Sequence, residues 1–488
     1  MQDISAARAP RCTGLDAICV AVLIAYFLYF ALPARHGGFR EDEMMNLWTY
    51  WYLGAFRSIL GLAKFWTPNY RTGGAVYYLP LYHFFGLNPF PYRMVQISIL
   101  ALSIPIAYHL ARLLVFSRSV AFLAVLAFCY HPYVANVVFV GAFIYDVLCG
   151  FFYLAALTYY VHVREKGAYF HPLQLGLFLG LYVCALNSKE MAVTLPVIVL
   201  MYELLKSPRW TSWNAFLSWT WRCAGPSLIA GAMTAIYLYG KIYGTGSVTR
   251  FDSYRPAYSW HNFVTSNARF VGELLYAPKV FTPTILILLW ATVFIYAFLR
   301  RDRMVQLMAF WVVIVPLPIA FLLPIRSGGC LHLLLFGWAM ICARAACDLI
   351  EFVVNRQAPE PGTRVAVVSV LAVLLAIFTQ WENQRLGIVR NLLGVGEKVR
   401  HVIAAFDSLN LQPSSSSTVL LKPNEQLFQN KWHSLLIASL VWNDHSLQIW
   451  IDKVSKITPE QFAKADYIIS LTEFEATVIR SPNQKKNK

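Results

Sequence analysis

The chain has 488 residues, of which 58% are hydrophobic and 14% charged, with a formal net charge of +16. Water-soluble domains carry roughly 25% charged residues; here the apolar residues gather in runs of the roughly 20 residues that a helix needs to cross a hydrocarbon core, which excludes an ordinary soluble protein. The positive charge does not mark a nucleic-acid binder either, because the basic residues flank the apolar runs and form no block and no single face.

The first apolar run, "LDAICVAVLIAYFLYFAL", follows Arg8 and Arg11. Its length, with no small-residue cleavage site after it, predicts an uncleaved first span instead of a signal peptide. Next comes "HGGFREDEMMNLWTYWYLG", which sets Glu41, Asp42 and Glu43 side by side where the run stops. Segments 44–62 and 76–87 are amphipathic, rich in aromatics and too polar to span, so they are expected to lie on the membrane. Further spans are expected near 94–115, 119–136, 144–162, 172–187, 190–205, 223–243, 281–299, 304–324, 330–347 and 364–381, about eleven in all.

Basic residues orient these spans. Arg112 and Arg118, Arg164 and Lys166, Lys206 and Arg209, and Arg300, Arg301 and Arg303 fall in one set of short loops, whereas the alternate short loops are nearly free of them. The first set is expected in the cytoplasm, together with the N-terminus. An odd number of spans then puts the C-terminus outside. The loops 33–93 and 244–280 also hold basic residues and read as functional loops.

After Trp381 the composition changes. "SSSS" at 414–417 reads as a linker or turn, and "STVLLK", "KWHSLLIASLVWND", "LQIWIDK" and "DYIISLTE" alternate strand-length apolar runs with helix-like stretches. The division expected is a transmembrane domain over 1–381 and a linker with a small extracytoplasmic α/β domain over 382–488. The fold class is mainly α, a polytopic helix bundle with that small domain appended. The nine cysteines lie mostly in or beside apolar runs, and no structural disulfide is expected. There is no Walker loop, HExxH or CxxC, and "GTGSVTR" at 244–250 is a lone glycine cluster.

The three acids have a plain reading: Asp42 caps the next helix, and acids in a first turn suit the helix dipole. Other ionisable residues fall at span ends facing the same outer side, which is a reason to look for a site there. They are Arg71 in "PNYRTGGAVYYLP", Asp146 in "GAFIYDVLCGFF", Lys189 and Glu190 in "ALNSKEMAVTLP", and Arg326 in "LLPIRSGGC". The plain reading of Lys189 and Glu190 is a local pair at a tight turn; that of Arg326 is a snorkelling side chain.

"FREDEMMNLWTYW" followed by "NYRTGGAVYYLPLYHFFGLNPFPYRMVQI" resembles the GT-C class of membrane glycosyltransferases, such as the protein O-mannosyltransferases and the lipid A aminoarabinose transferase. "YDVLCGFFYLAALTYY" resembles the second acidic position of that class, and "NSKEMAVTLPVIVLMYELL" its Lys-Glu turn. "RSGGCLHLLLFGWAMICA" stands where relatives have an Arg-Tyr pair, but with Gly and Leu-His instead, and Thr72 replaces a frequent Pro. The likeness covers roughly residues 1–347 and rests on the order of the motifs.

The resemblance implies an inverting membrane glycosyltransferase that uses a polyprenyl-phosphate-linked sugar. Phosphate leaves without a general acid, so a carboxylate base and cations suffice. By the match, Asp42 is the base, Glu43 positions the acceptor or shares that role, and Asp146 supports it. Arg71, Lys189 and Arg326 hold the lipid phosphate, with Glu190 in the same substrate-binding set. Tyr70, Tyr77 and Tyr78 line a sugar or prenyl groove. No metal is obligatory, although Asp42, Glu43 and Asp146 form a set able to bind a divalent ion. The expected partners are membrane lipid, the lipid-linked donor and a glycan, lipid or protein acceptor, in the plasma or inner membrane. Two other readings stand beside this one. A transporter or flippase of lipid-linked sugars predicts ionisable groups at mid-membrane and internal repeats; a non-catalytic scaffold of the same fold tolerates loss of Asp42.

Overall fold

The structure is a computed structural model describing residues 13–67, 71–167, 169–207, 210–244, 252–354, 361–452, 454–455 and 459–480. Among these, seven helices are long and apolar enough to cross a membrane: Gly14–His36, Pro89–Val115, Gly141–Glu165, Pro283–Arg300, Arg303–Ala320, Gly328–Val353 and Val365–Arg385. Helices also occupy the four other expected places, at Arg118–Cys129, Pro172–Ser188, Leu195–Lys206 and Gly225–Tyr243. These are shorter or more polar.

Local chemistry sets where several helices begin and end. Asn88 accepts a hydrogen bond from the Phe90 N–H ahead of Pro89, and Thr282 from Ile285 ahead of Pro283; both are side-chain caps with proline in the first turn. The run expected to span 119–136 stops being α-helical at Cys129. His131 precedes Pro132, and proline drives its neighbour out of the α region; His131 is extended, at φ −142° and ψ 124°. Likewise the 304–324 run breaks after Ile314, around Pro316 and Pro318.

The helix Pro89–Val115 packs along Ile144–Glu165, which packs along Pro172–Ser188. On the other side Arg118–Cys129 meets His332–Val354, and Leu195–Lys206 meets Arg303–Ile314. Trp311 fills the junction of the last group, its indole N–H donating to the Leu333 carbonyl at 2.9 Å. A Cβ at Gly337 would overlap that indole. Val365–Arg385 and Pro283–Arg300 present Val370, Val373, Ile377, Leu288 and Leu299 outward. In water such stripes would be a liability; in a bilayer they are the lipid face.

The segment after the first span forms surface helices. The 44–62 stretch is two helices, Glu41–Leu53 and Ala55–Ala63, parted at Gly54, whose φ of +78° suits glycine. The 76–87 stretch is one helix, Gly74–Phe85.

The last long apolar helix runs on to Arg385, and two short helices precede a four-stranded sheet. Its strands are β1 (Thr418–Pro423), β2 (Gln448–Ile451), β3 (Tyr467–Leu471) and β4 (Ala476–Arg480), in the order β2-β1-β3-β4. β1 pairs parallel with β2 and β3, with Val419 opposite both Ile449 and Tyr467, and β3 pairs antiparallel with β4. The connecting helix Trp432–Trp442 docks on Glu41–Leu53. There the Trp51 indole N–H donates to Asn443 Oδ1 at 2.7 Å, and Trp51 stacks on His445 with ring centroids 3.8 Å apart. The Tyr82 hydroxyl donates to the Leu440 carbonyl.

Candidate active site

The acidic triplet divides its labour. The helix begins at Glu41 with Arg40 as its N-cap, and the Arg40 N–H donates to Glu43 Oε2 at 2.9 Å. The capping role read for Asp42 therefore falls to Glu43. Glu43 is also buried in an ion pair with Arg93 from the helix Pro89–Val115, at 2.6 Å and 2.9 Å through two guanidinium nitrogens. Gly141 lies against this pair so closely that a Cβ would run into both side chains. One residue earlier is about 100° round a helix, and Asp42 there lines a cavity instead. Its carboxylate is exposed and makes no hydrogen bond or ion pair to a described residue.

The cavity measures about 560 Å³, within the usual range of roughly 300–1,000 Å³ for small-ligand sites. It brings together Asp42, Arg71, Asp146, Lys189, Glu190 and Arg326, residues that span most of the transmembrane sequence. Asp146 opens the helix Ile144–Glu165, and its carboxylate takes a short ion pair from Lys189. Lys189 Nζ also reaches Cys330 Sγ at 3.4 Å. Glu190 pairs with Arg71, Oε2 to Nη2, at 3.1 Å. Lys189 and Glu190 thus do not pair with each other. Lys189 is extended, at φ −158° and ψ 151°, and extended backbone sends neighbouring side chains to opposite sides.

Arg71 sits on a constrained backbone. Its φ of +41° lies where L-residues other than Gly, Asn and Asp are uncommon. The Tyr50 hydroxyl holds the Arg71 carbonyl at 2.7 Å, and the Gly73 N–H and Thr72 hydroxyl both bond Asn187, each at 2.9 Å. The guanidinium then lies 5.2 Å from the Tyr145 ring. Arg326 lies 5.2 Å from the Tyr254 ring.

Tyr77 and Tyr78 do not line the cavity. They are buried behind the Glu43–Arg93 pair, 4.9 Å apart edge to face, and donate to the Tyr92 and Gly141 carbonyls. Burial pushes both phenols above their ordinary pKa. Tyr70 lies outside the described residues. The cavity includes residues that the sequence reading passed over: Asn46, Lys241, Tyr254 and Tyr258. Asn46 stands four residues after Asp42, hence on the same helix face. Lys241 lies in the last turn of the helix Gly225–Tyr243, a charge at a span end as Arg326 is. Among the described residues no three of His, Cys, Asp and Glu cluster as a metal site. Of the three acids considered for one, Glu43 is held by Arg93 and Asp146 by Lys189.

No protein-family model matches the chain, and no curated protein matches it by sequence. Solved structures do match. An archaeal oligosaccharyltransferase, AglB from Archaeoglobus fulgidus in complex with an inhibitory peptide and a dolichol-phosphate, superposes with a TM-score of 0.50 at 9% identity, over 94% of this chain and 69% of that one. ArnT from Cupriavidus metallidurans, bound to undecaprenyl phosphate, superposes with a TM-score of 0.51 at 14% identity, over 95% of this chain and 93% of that one. The chain has the fold of these GT-C polytopic membrane glycosyltransferases, and with its apolar helices it is an integral membrane protein.

Proposed function

We propose that this protein is a membrane glycosyltransferase that moves a sugar from a polyprenyl phosphate to an acceptor hydroxyl at the extracytoplasmic surface, with inversion. The observation that carries this reading is one cavity lined, among the described residues, by one carboxylate without an ion pair, Asp42, together with four cations, Arg71, Lys189, Lys241 and Arg326. The lipid phosphates bound by the two structural neighbours support the donor class.

The chemistry follows from that charge layout. The donor's phosphodiester brings one negative charge, and cleavage to the phosphate monoester adds another on the leaving oxygen. Cations fixed in advance stabilise that developing charge without reorganising. Asp146 and Glu190 do the fixing, each holding a cation by an ion pair. Lys189 has three N–H donors, and Asp146 and the Cys330 sulfur take two. Asp42 removes the acceptor's proton as its oxygen attacks the anomeric carbon, a single displacement that inverts configuration. Glu43, clamped to Arg93, positions the helix that presents Asp42. In this reading the N-terminus is cytoplasmic and residues 382–488 form an extracytoplasmic domain braced on that helix.

Transfer and transport separate in one assay. Purified protein in liposomes, given a polyprenyl phosphate with a labelled sugar and a panel of hydroxyl acceptors, is expected to release unglycosylated lipid phosphate and label an acceptor. Movement of intact lipid-linked sugar across the bilayer, without cleavage, would identify a transporter instead.

A further inference from the structure

The helix with Asp146 in its first turn carries Arg164 in its last. Its 22 residues extend about 33 Å at 1.5 Å per residue, enough to cross a hydrocarbon core of about 30 Å. At that far end lies a second and larger cavity, of about 890 Å³. The buried Leu113 and Leu307 and the half-buried Leu205 make its apolar floor; of its basic residues Arg164, Lys206 and Arg344 lie within, and the exposed Lys166, Arg301 and Arg303 form the rim.

Half of these cations are committed. Arg164 pairs with Glu203 at 2.6 Å, Lys206 with Glu165 at 2.8 Å and Arg344 with Asp302 at 3.2 Å. The other three, Lys166, Arg301 and Arg303, are exposed, and their side chains make no hydrogen bond or ion pair to a described residue. The sequence "RRDR" explains this. Asp302, its only acid, turns inward to cap the next helix, accepting from the Met304 and Val305 N–H groups at 3.0 Å and 3.3 Å, and it also holds Arg344. Arg301 takes the left-handed turn conformation at φ +51°. The two outer arginines are thereby left on the rim without their acid. Glu165, the other rim acid, is taken by Lys206 and the Tyr202 hydroxyl.

We infer that this cavity binds an anionic phospholipid of the bilayer leaflet opposite the candidate active site. The phosphate lies among Lys166, Arg301 and Arg303, and the first carbons of an acyl chain lie on the leucine floor. An apolar floor under unpaired cations at the membrane surface matches an amphiphile with a phosphate head. A free phosphate would use the cations and leave the floor to water.

The test uses the full-length protein in nanodiscs of phosphatidylcholine with a minor share of phosphatidylglycerol, reading bound lipid by native mass spectrometry. Phosphatidylglycerol is expected to be retained over phosphatidylcholine. Each surface cation contributes roughly fivefold to such a preference. Replacing all three, K166Q with R301Q and R303Q, is expected to lower it by up to about 100-fold. Leu205→Trp, which fills the floor and leaves the charges, is expected to weaken lipid retention too, whereas millimolar inorganic phosphate should not displace the lipid. Equal retention of the two lipids, or an unchanged preference in the triple variant, overturns the proposal. Full displacement by inorganic phosphate with no effect of Leu205→Trp also overturns it, and assigns the rim to free phosphate.

Discussion

The division of roles between Asp42 and Glu43 predicts opposite consequences for neighbouring acids, and it can be worked through in energy. Arg93 and Glu43 have side chains 0% and 1% exposed. Removing one partner of such a pair strands a buried charge and costs about 3–5 kcal/mol. Arg93→Met should therefore lose about that much. Adding Glu43→Leu removes the stranded charge, and replacing both members of a buried pair by apolar residues is often neutral. The double variant still lacks the carboxylate that accepts the Arg40 N–H, and a lost N-terminal cap costs about 0.5–2 kcal/mol. It should thus sit about 0.5–2 kcal/mol below wild type, well above Arg93→Met alone. Asp42→Asn, at an exposed position without partners, should stay within about 0.5 kcal/mol. Denaturant titration in mixed micelles, followed by tryptophan fluorescence, orders the four proteins. An Arg93→Met protein as stable as Asp42→Asn would mean that the buried pair with Glu43 does not hold this helix.

Arg71→Gly removes the guanidinium but suits the left-handed backbone at that position, so it should raise the donor KM and lower kcat together while the protein stays folded; unchanged donor kinetics would remove Arg71 from the phosphate site. For topology, Ser415→Cys in a cysteine-free background should react with an impermeant thiol reagent in intact cells, since Ser415 is exposed beside β1. Labelling only after lysis would invert the orientation.

The membrane bundle was legible because crossing a bilayer demands long apolar helices, and a sequence window counts such residues directly. What a window misses is backbone chemistry. The span expected over 119–136 reads as mostly apolar, yet His131 before Pro132 ends its helix early. Part of the cavity was legible for a similar reason: charges at the ends of apolar runs stand out, and Asp146, Lys189 and Arg326 did, although Lys241 did not. Their pairings were not. Lys189 could meet Glu190 beside it or Asp146, 43 positions away, and only the packing of two helices settles that for Asp146. Glu43 and Asp42 look equivalent in sequence, because Arg93, which separates their fates, lies 50 positions on in an apolar helix. The seat of Trp51 on Asn443 and His445 has no local signal at all, since it joins segments 392 positions apart.

The most direct test of the proposed chemistry is the single-turnover rate of sugar transfer by Asp42→Asn at saturating lipid-phosphate donor. Asparagine keeps the size and polarity of the side chain, and the helix start is secured by Glu43, so the variant changes little but the base. The expected rate is lower by about 10²–10⁴, with binding of polyprenyl phosphate retained. Transfer at close to the wild-type rate would contradict it, and would place the base on another residue.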